Sequence, residues 1–188
     1  MMKPSIWKWS TRTVLAIGSG AALYGITSWI GIPIGMEGTQ LRPAIALLAI
    51  FGALFGPIVG FLAGFIGHVI NDLITHGTVW WGWALGSGIA AGFMGLIYLA
   101  KGFNPQDGEI RKVHILQFTI YGIIGIFAAL AFSYLFDIYI VGEPGDIVVV
   151  QAVFAGCGNI AVFFILGIPA VWAYAKRTRN DVSLYVDR

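Results

Sequence analysis

Charged side chains are almost absent from the first half of this chain. Between Thr13 and Ala100 the only charged residues are Glu37, Arg42 and Asp72. Over all 188 residues, 58% are hydrophobic and 11% are charged, whereas about a quarter of a typical soluble domain is charged. Water cannot solvate so apolar a segment, and a soluble core of this size cannot bury it. Most of the chain is therefore predicted to lie in lipid.

The apolar segments divide into six predicted membrane-spanning helices, because each span needs about 20 apolar residues. The six spans cover residues 13–32, 43–56, 57–75, 82–100, 113–140 and 148–174. The second and third spans are separated at Gly56-Pro57, because proline lacks a backbone N–H and disfavours helix at the preceding residue. The sequence thus predicts an all-α polytopic membrane protein that forms one domain over residues 1–188.

The distribution of positive charge predicts the orientation of the spans. Ten of the eleven Lys and Arg residues fall within 1–12, 101–112 and 175–188, and only Arg42 lies on the other side. Basic loops remain on the cytoplasmic side, so both termini are predicted to be cytoplasmic and the protein to be multi-pass in a bacterial cytoplasmic membrane. The basic residues are scattered rather than clustered, so no nucleic-acid partner is expected.

Several function classes lack their motifs. The chain has no Walker A sequence, no HExxH zinc motif and no series of buried ionisable groups along its spans. Gly86-Ser87-Gly88 suggests an intramembrane serine protease, but no histidine follows His114, which is expected at the cytoplasmic edge, far from Ser87. No enzymatic activity, metal or cofactor is expected. Polar groups at one mouth, without an energy source, indicate a capture module that depends on a partner.

Three segments bring polar groups to the predicted outer mouth. The first is the loop 32–43, which contains Glu37, Gln40 and Arg42 between two prolines. This loop is too apolar for a solvated connection and is expected to fold over a pocket. The alternative is that Glu37 and Arg42 only pair with each other.

The second segment is the outer end of the third span. His68, Asp72 and His76 follow a spacing of four residues and share one helix face, beside Asn71. Polar groups in a span are costly unless they face a cavity or a partner. Two alternatives remain: a cluster that satisfies itself and orients the helix end, or a metal site, for which no further ligand cluster is visible.

The third segment is Trp80-Trp81-Gly82-Trp83, which reads as an aromatic wall or as ordinary interface anchoring. Gln151, and more deeply Asn159, add polar groups from the last span. Apolar and aromatic walls with a few polar groups are typical of a small-ligand pocket. The predicted substrate-binding residues are Glu37, Gln40, Asn71, Asp72, His76, Trp80, Trp81 and Gln151.

An ordered set of motifs gives the chain a family resemblance. The segments 12–25, 41–44, 55–68 and 80–88, from Arg12-Thr13 to Gly86-Ser87-Gly88, resemble a substrate-binding (S) component of energy-coupling factor (ECF) vitamin transporters. The resemblance covers nearly the whole chain. Within that group it looks closest to S components for hydroxymethylpyrimidine, and similar sequences are also labelled riboflavin carriers.

The resemblance implies six helices, cytoplasmic termini and a micronutrient bound from outside with the help of the first loop. It also implies partners: a membrane scaffold subunit and two cytoplasmic ATPases, which use the ATP. Nickel and cobalt members hold their metal through a histidine at position two, where this chain has Met2. Docking in the family uses small residues of the first helix, spaced here as Ala16-xxx-Gly20, Gly18-xxx-Ala22 and Ala21-xxx-Gly25. The predicted docking residues are Ala16, Gly20, Ala21 and Gly25.

The predicted function is capture of a small aromatic vitamin or precursor, hydroxymethylpyrimidine- or pyridoxine-like, for delivery through a scaffold–ATPase module. A riboflavin-specific S component is the alternative within the family. For the docking residues, the alternative is packing within the chain. Two other classes remain: an intramembrane enzyme, which needs a nucleophile and a base at one depth, and a ligand-free assembly protein, whose outer polar residues would satisfy one another and leave no cavity.

Overall fold

The computed structural model describes residues 9–33 and 40–186, with side chains up to residue 179. Seven α-helices account for most of these residues: α1 Thr11–Thr27, α2 Ile45–Phe55, α3 Pro57–His76, α4 Trp81–Gly95, α5 Lys112–Phe136, α6 Gly145–Val162 and α7 Ile168–Val186. A π-helical turn, Phe163–Gly167, joins α6 to α7, so these two form one rod. The described chain thus folds into six rods, which confirms the prediction of an all-α polytopic membrane protein.

The rods differ in length. Four stretches are long and apolar enough to cross a membrane: Pro57–His76, Trp81–Leu99, Lys112–Val141 and Gly145–Arg179. They include a 3₁₀ turn after α4, Leu96–Leu99, and a π-helical turn after α5, Asp137–Val141. The helix α1 has 17 residues and α2 has 11, so α2 is about 17 Å long, roughly half of a bilayer's hydrocarbon thickness. The rod that ends in α7 continues to Val186, past the predicted span end at residue 174.

The break between α2 and α3 lies at Gly56-Pro57, where the sequence predicted it. Gly56 has φ 97°, a conformation that favours glycine, and Pro57 occupies the first helical position of α3. The Gly56 N–H donates to the Gly52 carbonyl, which ends α2 without an unpaired amide. The chain reverses direction there, so α2 and α3 pack side by side.

Glycines allow α3 and α4 to approach at backbone distance. A Cβ atom at Gly60 would lie 2.6 Å from the Ala91 carbonyl oxygen, and one at Gly64 would lie 2.8 Å from the Ser87 carbonyl oxygen. Small residues permit this close packing, which in lipid supplies most of the attraction between helices. The close approach brings Ser87 to the level of the polar end of α3.

The predicted docking residues of α1 do not form a free face. Ala16, Gly20, Ala21 and Gly25 are all buried. They pack within the chain: a Cβ at Gly20 would lie 2.9 Å from the Phe51 ring, and α1 also lies against α3 through Ala21 and Gly67. Packing within the chain, the alternative left open by the sequence, therefore occupies this face. A different small pair, Gly18 and Ala22, is exposed.

The two ends of the bundle differ in charge. At one end, here called the basic end, the Arg12 side chain hydrogen-bonds Gln106, whose Nε2 donates to the Leu54 carbonyl at 2.8 Å. This end carries the described basic residues Arg12, Lys101, Arg111, Lys112, Lys176, Arg177 and Arg179. The opposite end, here called the cavity end, holds Arg42, the end of α3, the start of α4 and a small antiparallel sheet of Ile32–Pro33 (β1) and Gln40–Leu41 (β2).

Candidate functional site

A cavity of about 350 Å³ opens at the cavity end, among α1, α3, α4, α6, the residues before α2 and the π-turn after α5. Its volume lies near the small end of the range for small-molecule sites, about 300–1,000 Å³. The described lining residues are Tyr24, Gln40, Arg42, Ile45, His68, Asp72, His76, Trp80, Trp83, Ser87, Asp137, Val141, Glu143, Gln151, Ala155 and Asn159.

A more open cleft of about 390 Å³ adjoins this cavity. Gln40, Arg42 and His76 line both spaces and therefore form a shared wall. The other residues that line the cleft are Ser28, Trp29, Asn71 and Thr75. The Trp29 indole N–H donates to Thr75 Oγ1 at 3.0 Å, which ties the end of α1 to the end of α3 beside the cleft.

Asp72 organises the corner between α3 and α4. Its side chain is fully buried, and its Oδ2 accepts the Trp80 backbone N–H at 3.1 Å. Its Oδ1 accepts from Asn71 Nδ2 at 3.4 Å and lies 3.4 Å from His68 Nε2. The carboxylate thereby holds the first residue of the Trp80–Trp83 segment against α3, across the left-handed Gly77.

A chain of side-chain hydrogen bonds follows the cavity wall from α1 to α3. Tyr24 Oη lies 3.3 Å from Ser87 Oγ, and Ser87 Oγ lies 2.6 Å from His68 Nδ1. Because the Asp72 carboxylate only accepts, we assign the proton of a neutral His68 to Nε2. Ser87 then donates to His68 Nδ1, and the Tyr24 hydroxyl donates to Ser87. The oxygen atoms of this wall consequently offer the cavity lone pairs rather than protons.

The proximity of His68 to Ser87 was not anticipated from the sequence, where His114 was the histidine weighed against Ser87. The side chains of Ser87, His68 and Asp72 contact one another in that order, as the members of a Ser-His-Asp catalytic triad do. Ser87, however, lies in the middle of α4, where the backbone N–H groups are already paired within the helix. The backbone of α4 around Ser87 therefore has no free N–H groups with which to stabilise the oxyanion of an acyl-transfer reaction.

Trp80 and Trp83 form the aromatic part of the cavity wall, whereas Trp81 does not line it. Trp80 immediately precedes α4 and Trp83 lies in its first turn, and both side chains line the cavity. The His76 ring meets the Trp80 ring edge-on at a centroid distance of 4.6 Å. Trp81 is 52% exposed and contacts the Phe65 ring at 6.3 Å. The cavity wall thus contains Trp83 rather than Trp81, and ligand binding by either residue stays a prediction.

Asp137 is a second buried carboxylate at the cavity, and it is not among the site residues predicted from the sequence. It is 4% exposed and begins the π-helical turn after α5. Its Oδ2 accepts the Trp83 indole N–H at 2.6 Å, and no hydrogen bond from the described part of the chain reaches its Oδ1. A carboxylate inside a span is costly unless it faces a cavity or partner, and that cost is the signal that would have identified it.

The predicted binding residues have different positions. Gln40, Asp72, His76, Trp80 and Gln151 line the cavity. Asn71 lines the adjacent cleft instead and contacts Asp72 and Thr75. Glu37 lies outside the described residues, so its predicted role in substrate binding and the alternative, pairing with Arg42, both stay predictions.

The additional wall residues come from helices that are distant in sequence. Tyr24 belongs to α1, Ser87 to α4 and Asp137 to the end of α5. Among the described residues, no group of three His, Cys, Asp or Glu side chains is placed to hold a metal ion. His68 instead hydrogen-bonds Ser87, and the His76 ring meets the Trp80 ring edge-on.

The fold and the cavity define a membrane-embedded, ligand-binding helical protein. Residues 8–176 match the model of the family described as ECF-type riboflavin transporter, S component. A UPF0397 protein of Enterococcus faecalis is 35% identical over 184 residues, which cover 96% of this chain and 98% of that protein. This chain therefore belongs to the ECF-type riboflavin transporter S component family.

Membership confirms the resemblance to an ECF S component and places the chain in a membrane transport family rather than an enzyme family. The finer resemblance to hydroxymethylpyrimidine-type S components is not confirmed, because the matching family carries riboflavin in its description.

Proposed function

We propose that this chain is the substrate-capture subunit of an ECF-type importer and that it binds a small aromatic vitamin or vitamin precursor. The observation that carries the proposal is the cavity of about 350 Å³, walled by Trp80, Trp83 and Tyr24. Aromatic walls supply offset or edge-on contacts to a planar ring. The polar groups around these rings, including Asp137 Oδ1, which no hydrogen bond from the described residues reaches, favour ligand capture over a ligand-free assembly role.

The size of the cavity favours a compact ring, such as hydroxymethylpyrimidine or pyridoxine, as the first candidate. Riboflavin is the second candidate, and two observations favour it. The family description names it, and the adjacent cleft of about 390 Å³ offers room for the rest of a larger molecule. Gln40, Arg42 and His76 would then contact both parts of that ligand, since they line both spaces.

The expected partners are a membrane scaffold subunit and two cytoplasmic ATPases. The chain has no nucleotide-binding motif of its own, which supports this division of labour. The proposed orientation puts the basic end in the cytoplasm, because Lys and Arg collect in cytoplasmic loops. The cavity end then faces outward. For scaffold docking we propose the exposed Gly18 and Ala22, which lie between the exposed Leu15 and Ile26 on α1.

The test is isothermal titration calorimetry on the detergent-solubilised protein with hydroxymethylpyrimidine, pyridoxine, thiamine and riboflavin. We expect one of the four to bind with one-to-one stoichiometry, and native mass spectrometry to find the same molecule in protein purified from cells. The control variant is Trp172→Ala, on α7 at the other end of the bundle, which should bind like the wild type. If none of the four compounds binds, the proposed substrate class is wrong.

A further inference from the structure

We propose that Asp137 determines specificity by accepting a hydrogen bond from the ring of the ligand, an inference that rests on the proposed function. The ligand class is then an aromatic heterocycle that presents an N–H donor: an amino group on the ring, a protonated ring nitrogen or a ring imide. This assignment narrows the vitamin class by chemistry, and it applies to either candidate substrate.

The first support is the orientation of the Asp137 carboxylate. The Trp83 indole N–H occupies Oδ2 at 2.6 Å, so the side chain cannot rotate without breaking a short hydrogen bond. The backbone also fixes this carboxylate, because the Asp137 carbonyl accepts the N–H groups of Gly142 and Glu143 at 2.9 and 3.0 Å and so closes the π-turn.

The second support is that Oδ1 is left for a ligand. Asp137 is only 4% exposed and lines the cavity, yet no donor among the described residues reaches its Oδ1. The Oδ1 atom is not enclosed by the described residues, so a donor on a ligand in the cavity can reach it. Gly82 is what lets the carboxylate sit there, because a Cβ at that position would lie 2.8 Å from Oδ1.

The third support is the balance of donors and acceptors around the ring site. The wall formed by Tyr24 and Ser87 offers oxygen lone pairs, as assigned above from the proton on His68. The described lining contains the carboxylates of Asp137 and Glu143, together with Asp72, whose oxygens already accept from within the chain. Its single Lys or Arg is Arg42, at the wall shared with the cleft. A ring that presents donors complements this cavity, and a ring that presents only acceptors leaves these oxygens unpaired.

The experiment uses matched pairs of probes that differ in one N–H donor. One pair is 4-amino-5-hydroxymethyl-2-methylpyrimidine and its analogue without the 4-amino group. The other pair is riboflavin and 3-methylriboflavin, which lacks the ring imide N–H. Dissociation constants are measured by calorimetry on the full-length protein in detergent, and the readout is the ratio of the two constants within a pair. A ratio is insensitive to a general loss of affinity.

In the wild type we expect the probe with the donor to bind roughly 10- to 100-fold more tightly, the effect of one hydrogen bond to a charged acceptor. In Asp137→Asn the ratio should fall to about one or below. Trp83 requires an oxygen partner, so the asparagine oxygen pairs with it and the amide N–H₂ faces the ligand's donor. Asp146→Asn makes the same change at an exposed residue outside the cavity lining, and it should retain the wild-type ratio.

Trp83→Phe keeps the carboxylate but removes the hydrogen bond that orients it, so its ratio should lie between those of the wild type and Asp137→Asn. A wild-type ratio near one, or a preference for the probe without the donor, overturns the inference and leaves the proposed function standing. A high ratio that Asp137→Asn does not change overturns the role of Asp137. Binding of neither pair by the wild type overturns the inference together with both candidate substrates.

Discussion

Helices α3 and α4 meet in two different ways along their length. Towards the basic end they touch through Gly60 and Gly64, with no room for a single added Cβ atom. Towards the cavity end, His68, Asp72 and Ser87 replace small residues, and the space between the elements becomes a cavity. The first half of the interface fixes the geometry, and the second half uses that geometry to hold polar groups in lipid. The following predictions test whether the two halves separate in this way.

The largest effect is expected at the glycine half. Gly60→Ala places a Cβ 2.6 Å from the Ala91 carbonyl oxygen, a backbone atom that cannot move without shifting α4. Overpacking costs about 1–3 kcal/mol, so the variant should unfold at a clearly lower temperature in detergent and lose ligand binding as α4 shifts. The matched control is Gly92→Ala on α4, whose Cβ would meet nothing closer than 3.5 Å. Equal melting temperatures for the two variants would show that the close contact at Gly60 does not fix the α3–α4 geometry.

The next largest effect is expected at Asp72. Replacing it with Ala leaves the Trp80 backbone N–H without its acceptor and releases the start of α4 from α3. We expect affinity to fall roughly 5- to 150-fold, the equivalent of about 1–3 kcal/mol, with a parallel loss of thermal stability. Asn71→Ala should have a smaller effect, because Asn71 lines the cleft rather than the cavity. An Asn71 effect as large as that of Asp72 would make the cleft the primary site.

The aromatic wall predicts a smaller difference between two neighbouring tryptophans. Trp83→Ala removes a cavity wall and the donor to Asp137, so calorimetry should record weaker ligand binding. Trp81→Ala alters a half-exposed side chain beside Phe65 and should change affinity little. The reverse order of effects would restore Trp81 as the stacking residue and require α4 to be rotated.

Partner docking should leave ligand affinity unchanged. Gly18→Leu and Ala22→Leu enlarge exposed positions of α1 and should reduce co-purification with a scaffold–ATPase complex, because helices approach closely through small residues. Ala16→Leu enlarges a buried position and should instead lower the melting temperature of the isolated subunit. Intact assembly of both Gly18→Leu and Ala22→Leu would show that docking uses another face.

The orientation of the bundle in the membrane is tested by cysteine labelling rather than by a change in activity. Single cysteines at Asp107 and Glu143, in a Cys157→Ala background, should react with an impermeant reagent from opposite faces of the membrane. Asp107 lies in the loop of the basic end, and Glu143 lies exposed beside the cavity. Labelling of both from one side of intact cells would contradict the six-span topology.

The helices were predictable from the sequence because each depends on local properties. Apolar length predicted the spans, and Gly56-Pro57 predicted the break between α2 and α3, since a proline and a positive φ act on neighbouring residues. Within one helix the site was also predictable: His68, Asp72 and His76 share a face by periodicity alone. The small-residue face of α1 was recognised, but a pattern of small residues does not reveal which neighbour covers it.

Contacts between helices were not predictable, because they depend on how each helix is rotated about its axis. His68 meets Ser87, and Trp83 meets Asp137, across helices whose relative rotation no single segment encodes. The choice between Trp81 and Trp83 has the same origin, since adjacent residues on a helix point about 100° apart. One overlooked local signal was available: a buried carboxylate such as Asp137 in a span calls for a facing partner.

The shortness of α2 has a consequence for the volume of the cavity. At 11 residues, α2 reaches about half-way through the hydrocarbon layer, and its first residue, Ile45, already borders the cavity. Before Ile45 the described chain lines the cavity with Gln40 of β2 and with Arg42, rather than with further turns of α2. The candidate site therefore occupies depth that a longer α2 would fill, with Gln40 of β2 on its wall. A few extra helical turns before Ile45 would fill the cavity, so the length of α2 limits the volume that is available to a ligand.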